Sequence, residues 1–218
     1  GQISSKVWQQ DITTAVTNLQ IGGRNLFQQS GHWTTLPDAK YWSNNGGGIT
    51  LDTSTKYLGY NTLKTIVGSG IVGYRDDWIE LDINKTYTYS AMVKTSVAFN
   101  GAGTIPVHYH CSPDKSGPNG SIEILAYSQN TPANKWTLLY LTFKPKAKYF
   151  RPFIYIGGSY NITFNVAYLK LEEGNKATDW TPAPEDIDAN ISSVEGKITT
   201  VSNQYTTLNQ SCLLYTSD

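Results

Sequence analysis

Neither sign of charge prevails in this 218-residue chain: 17 Lys and Arg stand against 17 Asp and Glu, and charged residues are only 16% of the total. A surface so balanced builds no single-signed field, which argues against binding to polyanions, nucleic acid included. Cysteine is almost absent, with Cys111 and Cys212 alone; they allow one bridge at most and neither a disulfide framework nor the paired spacing of a zinc site. No apolar run approaches the roughly 20 residues of a bilayer span, so membrane insertion is not expected. The chain starts at Gly1 without a basic, apolar leader and is in helical register by Ile3, as expected of a piece cut from something longer. Catalytic signatures are missing too: there is no GxSxG elbow, no phosphate loop and no His-Glu metal pair.

Aromatics fill part of the gap. They make up 12% of the chain, with 15 Tyr and 6 Trp, beside abundant Gly, Asn, Ser and Thr. Such a composition suits a β-rich surface. Short apolar or alternating runs are separated by turn chemistry at Gly46-Gly47-Gly48, Gly68-Ser69-Gly70, Asn100-Gly101, Asn119-Gly120 and Gly157-Gly158. Strands are expected near 25–28, 49–52, 60–67, 78–82, 86–95, 104–111, 121–127, 136–143, 150–156 and 162–171. Nine or ten short strands without an intervening helix predict a mainly β fold, a jelly-roll β-sandwich.

Helical patterns bracket this insert. Ile187, Ile191, Val194, Ile198, Val201, Tyr205 and Leu208 follow one another at 4, 3, 4, 3, 4 and 3 residues, a heptad seam. A stripe that thin on a Ser/Thr-rich helix is marginal alone. It therefore predicts self-association, and β-branched residues at both seam positions favour a parallel homotrimer. Trp8, Ile12, Ala15 and Leu19 repeat the spacing near the start, with Gly22-Gly23 expected as a left-handed cap. The expected organisation is a helical coiled-coil segment at 1–21, a β-sandwich at 22–181, a coiled-coil helix at 182–211 and a non-native tail at 212–218. That tail, Cys212 to Asp218, is what TGTCTCTTATACACATCTGAC encodes, a string resembling a transposon-type sequencing adapter, which marks the chain as a metagenomic fragment.

Two segments carry a resemblance. Gly22-Gly23-Arg24-Asn25-Leu26-Phe27 opens the insert, and Leu171 to Asp186, LEEGNKATDWTPAPED, closes it. Both resemble the ends of a β-sandwich module in tail fibres, baseplate proteins and tail-associated host-recognition proteins of bacteriophages and prophages of Gram-positive bacteria. Trp42, Tyr87 to Lys94, Trp136 before Leu138 to Phe143, Arg151 and Val166 to Glu172 are similar to carbohydrate-binding modules found beside glucanases and xylanases. The resemblance implies a non-enzymatic virion tail component that touches host surface glycan during adsorption, beside other tail proteins. It also implies a virion location after synthesis in the host cytoplasm. A ligand-free spacer and an accessory module of a polysaccharide hydrolase are the alternatives.

Sugar recognition needs flat aromatic faces and planar polar groups on one surface. Arg151, Phe153 and Tyr155 point to one side of a strand, as do His108 and His110 of another; Tyr74 and Trp78 flank Arg75-Asp76-Asp77. The candidate contact residues are Trp42, Tyr74, Trp78, His108, His110, Arg151 and Tyr155. Trp136 and Trp180 are expected to be structural, and Trp33 is left open. No cofactor or metal is expected: His108 and His110 lack a third ligand, and Asp76, Asp77, Glu80 and Asp82 lack a glycine-centred calcium loop. For catalysis, adjacent Asp76-Asp77 diverge and Glu123 has no evident partner, so a glycosidase pair is not expected.

Overall fold

The computed structural model describes residues 22–45, 49–67, 70–74, 77–98, 108–116, 122–125, 130–156 and 162–215. It divides into one unit ending at Ala183 and a second beginning at Pro184. The strands of the first are β1 (Ser43–Asn45), β2 (Thr50–Tyr57), β3 (Tyr60–Val67), β4 (Gly70–Tyr74), β5 (Ile79–Glu80) and β6 (Tyr87–Thr95). They continue with β7 (His108–Ser112), β8 (Ile122–Leu125), β9 (Thr137–Phe143), β10 (Tyr149–Ile156) and β11 (Ile162–Glu173). Among the described residues, one sheet runs β1-β4-β10-β7-β8 with β5 added against β10, and the other runs β2-β3-β11-β6-β9. All pairings are antiparallel, and most connections pass from one sheet to the other.

Alternation puts the core between the sheets. In β9, Leu139, Leu141 and Phe143 are buried while Leu138 and Tyr140 are exposed; in β6, Tyr89, Ala91 and Val93 face inward. Phe27 meets Trp42 edge-on at 5.3 Å and Tyr89 at 5.2 Å, and Tyr109, Phe143 and Phe150 close the other end at 4.3 to 5.2 Å. Edge-on and offset arrangements are those favoured by ring quadrupoles. Trp33 joins this core at 5% exposure, which resolves its role as packing. Cys111 is a free thiol buried within it, so no bridge forms there.

Asn25 ties the two ends of the sandwich together. Its Nδ2 donates to Ser30 Oγ (3.0 Å), Leu169 O (3.2 Å) and Thr181 O (2.9 Å), while Oδ1 accepts from Phe27 N (3.0 Å) and Leu171 N (3.2 Å). The segment after β11 then lies across the outer side of its own sheet. Beneath it, Lys170 Nζ and Glu172 Oε2 pair at 3.3 Å with 1% and 0% side-chain exposure. Lys170 also donates to Thr178 Oγ1 and Asp179 O at 2.7 Å each, and Glu172 accepts from Thr178 N at 2.8 Å and from its hydroxyl at 2.6 Å. A desolvated pair with its remaining polar capacity satisfied holds the segment shut, because losing either partner would strand a buried charge.

Several expectations are corrected. Residues 25–28 form no strand, although Leu26 N donates to Leu171 O at 2.8 Å. The strand expected at 49–52 runs on to Tyr57, and β1 and β4 were not expected at all: SNN is polar and GIVGY carries two glycines, so only their neighbours in the sheet make them strands. Gly22 is not in the left-handed region; a Cβ there would lie 2.0 Å from Glu173 O, so close backbone approach requires the glycine.

The second unit is α1, Pro184–Tyr215, with Pro184 in the position where a missing N–H costs nothing and Glu185 and Asp186 facing the positive end of the dipole. The stripe Ile187, Ile191, Val194, Ile198, Val201, Tyr205 and Leu208 is 45 to 65% exposed. The helix runs through four residues of the expected tail. The coiled-coil segment expected at 1–21 lies outside the described residues.

Candidate functional site

Of the predicted contact residues, Tyr74, His108, His110, Arg151 and Tyr155 lie on strands of the six-stranded sheet. Register pairs Arg151 with His110 and Phe153 with His108 across β10 and β7, and Phe153 with Tyr74 across β10 and β4. Directly paired residues share a face. The alternate positions, Phe150, Tyr109 and Cys111, are in the core, so this face points away from it. Tyr155 follows on β10 beyond the register shift between Phe153 and Ile154. Trp78 reaches the face from the segment before β5, where the Arg151 guanidinium sits 4.4 Å from its ring centroid. Arg151 is 7% exposed, and a cation over an indole is held by the ring quadrupole as well as by packing.

Trp42 does not belong to this group. It is 3% exposed in the core, edge-on to Phe27, with Nε1 donating to Gln28 O at 3.0 Å. Burial this complete leaves no open ring face for a ligand. Asp76 and Arg75 lie outside the described residues.

Sequence reasoning missed two neighbours. Glu123 of β8 pairs with His110, making a row Arg151, His110, Glu123 across three strands; its partner is set by register, which no spacing in the sequence reveals. Tyr149 extends the face at the other end, with Lys115 Nζ 4.8 Å and Lys148 Nζ 5.3 Å from its ring. Lys148 also pairs with Glu80 at 3.0 Å. Glu80 sits opposite Tyr149 on β5, but β10 and β7 separate β5 from β8. Three strand spacings, about 14 Å, put the backbones of Glu80 and Glu123 farther apart than a glycosidase pair, whose carboxyls lie roughly 5 to 9.5 Å apart.

A second feature lies on the outer side of the other sheet. Between the β2–β3 turn and the segment after β11 is a cleft of about 640 Å³. Rings run along it in contact: His32 stacks on Tyr60 at 3.4 Å and meets Trp180 at 4.6 Å, Trp180 stacks on Tyr168 at 4.6 Å, and Tyr168 meets Tyr57 edge-on at 4.9 Å. Tyr57 in turn meets Trp136 at 5.0 Å. Tyr168 reaches this row because β11 is bulged between Ala167 and Lys170: Phe164 and Val166 face the core before the bulge, Leu169 and Leu171 after it. Trp180 Nε1 donates to Ser30 Oγ and Leu169 O, both at 3.2 Å. Both tryptophans expected to be structural thus do pack against the domain, and Trp180 also lines the cleft.

Burial sets the protonation of this row. It pushes His32 below its ordinary value, leaving a neutral imidazole at neutral pH with Nε2 3.1 Å from the Tyr168 hydroxyl. Burial pushes Tyr57 and Tyr168 up, helped by the Asp179 charge beside Tyr57 and by Tyr60 and Tyr57 beside Tyr168.

No family model and no curated protein matches this sequence. Among solved structures the chain is similar to a xylan-binding domain from CBM 22, at 12% identity and a TM-score of 0.52, over 71% of this chain and 98% of that one. It also aligns with a family 16 carbohydrate-binding module (17% identity, TM-score 0.45, 67% and 99% covered). A third is the CBM22-1 xylan-binding domain from Paenibacillus barcinonensis Xyn10C (13%, 0.48, 72% and 99%). At such identities the likeness concerns the fold, and it agrees with the sheets described above: the first unit is a carbohydrate-binding-module-like β-sandwich.

Proposed function

We propose that the sandwich is a non-enzymatic carbohydrate-binding-like module of a bacteriophage or prophage tail protein, contacting host cell-surface polysaccharide during adsorption. The observation that carries the binding part is that His110 and Arg151 are cross-strand partners on β7 and β10, with the Arg151 guanidinium over the Trp78 ring; Tyr74, His108 and Tyr155, on strands of the same sheet, are proposed as further contacts. Glu123 joins them; Trp42 does not. Planar polar groups beside aromatic rings are what a pyranose with an apolar face and paired hydroxyls requires. The solved structures of like fold are named as carbohydrate-binding, which supports the same class of ligand.

The tail setting rests on the opening and closing segments of the sandwich, whose Asn25 and Lys170–Glu172 contacts give them a mechanical reason to occur together. The exposed seam of α1 supports a parallel homotrimer, which would present three weak sites and raise their joint retention through effective concentration. In this reading the assembled module sits on the virion tail beside other tail proteins, after synthesis in the host cytoplasm. A glycan array and a host-envelope pull-down with the trimerised protein test it; retention on an envelope fraction without release of reducing sugar is expected. Release of reducing sugar would favour a hydrolase instead.

A ligand-free spacer is the second reading. The observation favouring it is that the Arg151 guanidinium already occupies one face of Trp78. Absence of retention on every envelope fraction is the result that reading requires.

A further inference from the structure

We infer that the aromatic cleft on the outer side of the β2-β3-β11-β6-β9 sheet is a second binding site, one that takes a short uncharged saccharide. It is separate from the face proposed above, on the other sheet.

Three observations converge there. The first is backbone conformation: His32 (φ 54) and Tyr168 (φ 53) are non-glycine residues in the left-handed region, and both line the cleft. Such conformations persist only where the surroundings enforce them, and they gather at sites of function. The bulge that holds Tyr168 is of the same kind, since it re-aims a ring from a sheet onto a ligand surface.

The second is shape and surface. Tyr57, Tyr168 and Trp180 wall the cleft, and Met92, Leu138 and Ser90 of β6 and β9 form its floor. Leu58 stands 71% exposed at its rim. A volume of about 640 Å³ is within the range of small-ligand sites. Aromatic walls match the C–H face of a sugar ring, and the Tyr57 hydroxyl and the Asp179 carboxylate among the lining residues supply its polar partners.

The third is charge. Asp179 is the only ionised side chain among the lining residues described; the Lys170–Glu172 pair is sealed beneath the segment and neutral as a unit. A cleft with one carboxylate and no lining Lys or Arg rejects anionic polymers. The ring centroids lie 4.6 to 4.9 Å apart, so no gap between them encloses an ammonium as an aromatic cage does. A neutral, hydroxyl-rich ring is the ligand that remains.

Indole N–H resonances of the intact chain, followed by NMR, separate the two sites. The probes are chitobiose, xylobiose and maltose, with choline as the cationic control, each raised to about 10 mM, in the range expected of a shallow sugar site. At least one disaccharide is expected to shift the Trp180 signal, unchanged in Trp78→Ala and weakened about tenfold in Tyr57→Leu. Should Tyr57→Leu melt lower, Leu58→Glu changes an exposed turn residue at the rim and is expected to weaken the same shift. No Trp180 shift with any disaccharide, a shift with choline alone, or a shift indifferent to the Tyr57 and Leu58 variants would overturn the inference. Failure of the sheet-face proposal would appear separately, as an unmoved Trp78 signal.

Discussion

Single residues hold this sandwich through hydrogen-bond capacity that is fully used. Asn25 is 0% exposed and bonded through both its amide nitrogen and its oxygen. Asn25→Ala leaves several buried backbone groups without partners, so a loss of about 3 kcal/mol is expected in urea unfolding. Gly31 is constrained by a ring: a Cβ there would meet Trp180 Cζ2 at 2.7 Å. Gly31→Ala is therefore expected to displace Trp180 and cost about 1–3 kcal/mol, with loss of the Trp180 near-ultraviolet signal as its check. Asp52 gives a pH dependence. Burial pulls its carboxyl up, but the Ser54 hydroxyl, the Thr55 N–H, the Asn165 amide and the Ser54 N–H outweigh this and hold it well below the usual carboxylate range. A folded value below the unfolded one means stability fully present above about pH 4 and lost as pH falls below it, because the unfolded chain then binds the proton first. Acid melts should show this loss, and Asp52→Asn should flatten it. Of these residues the sequence reveals Asn25 only as part of a motif; Gly31 acts through Trp180, 149 positions away, and Asp52 joins its local Ser54 and Thr55 bonds to Asn165, 113 positions away, which no local pattern discloses.

Among the elements, short apolar or alternating runs between turns made β3, β6, β9, β10 and β11 legible. β1 and β4 were not legible because their neighbours, rather than their residues, impose the extended state. The bulge in β11 was hidden for a related reason: Ala167-Tyr168-Leu169 reads as an unbroken strand, and only burial shows the change of side. The face of Arg151 and Phe153 could be read within one strand, whereas its alignment with His110 and Glu123 depends on register between strands. The segment after β11 yields a separable test. Lys170→Met or Glu172→Leu alone should each cost about 3–5 kcal/mol by stranding a buried charge. Lys170→Met with Glu172→Leu should cost less than the sum, which a double-mutant cycle measures. In α1, Gly196 has nothing within 4 Å of a built Cβ; Gly196→Ala should stabilise the helix by about 1 kcal/mol.

For the whole molecule, a β-sandwich is followed in the chain by a helix whose apolar seam is exposed from Ile187 to Leu208. The seam argues for association that depends on concentration, because three heptads with few flanking ion pairs bind weakly. Sedimentation equilibrium should find a monomer–trimer equilibrium, and a chain that stays monomeric at high concentration would remove the trimer. The central claim is that the outer face of the six-stranded sheet binds surface polysaccharide. It is tested most directly by co-sedimentation of the wild-type chain and Trp78→Ala with purified Gram-positive cell-wall polysaccharide, each protein's melting curve recorded alongside. Retention of wild type, with Trp78→Ala released into the supernatant while still cooperatively folded, is the predicted result; equal retention of both, or none of either, would contradict it.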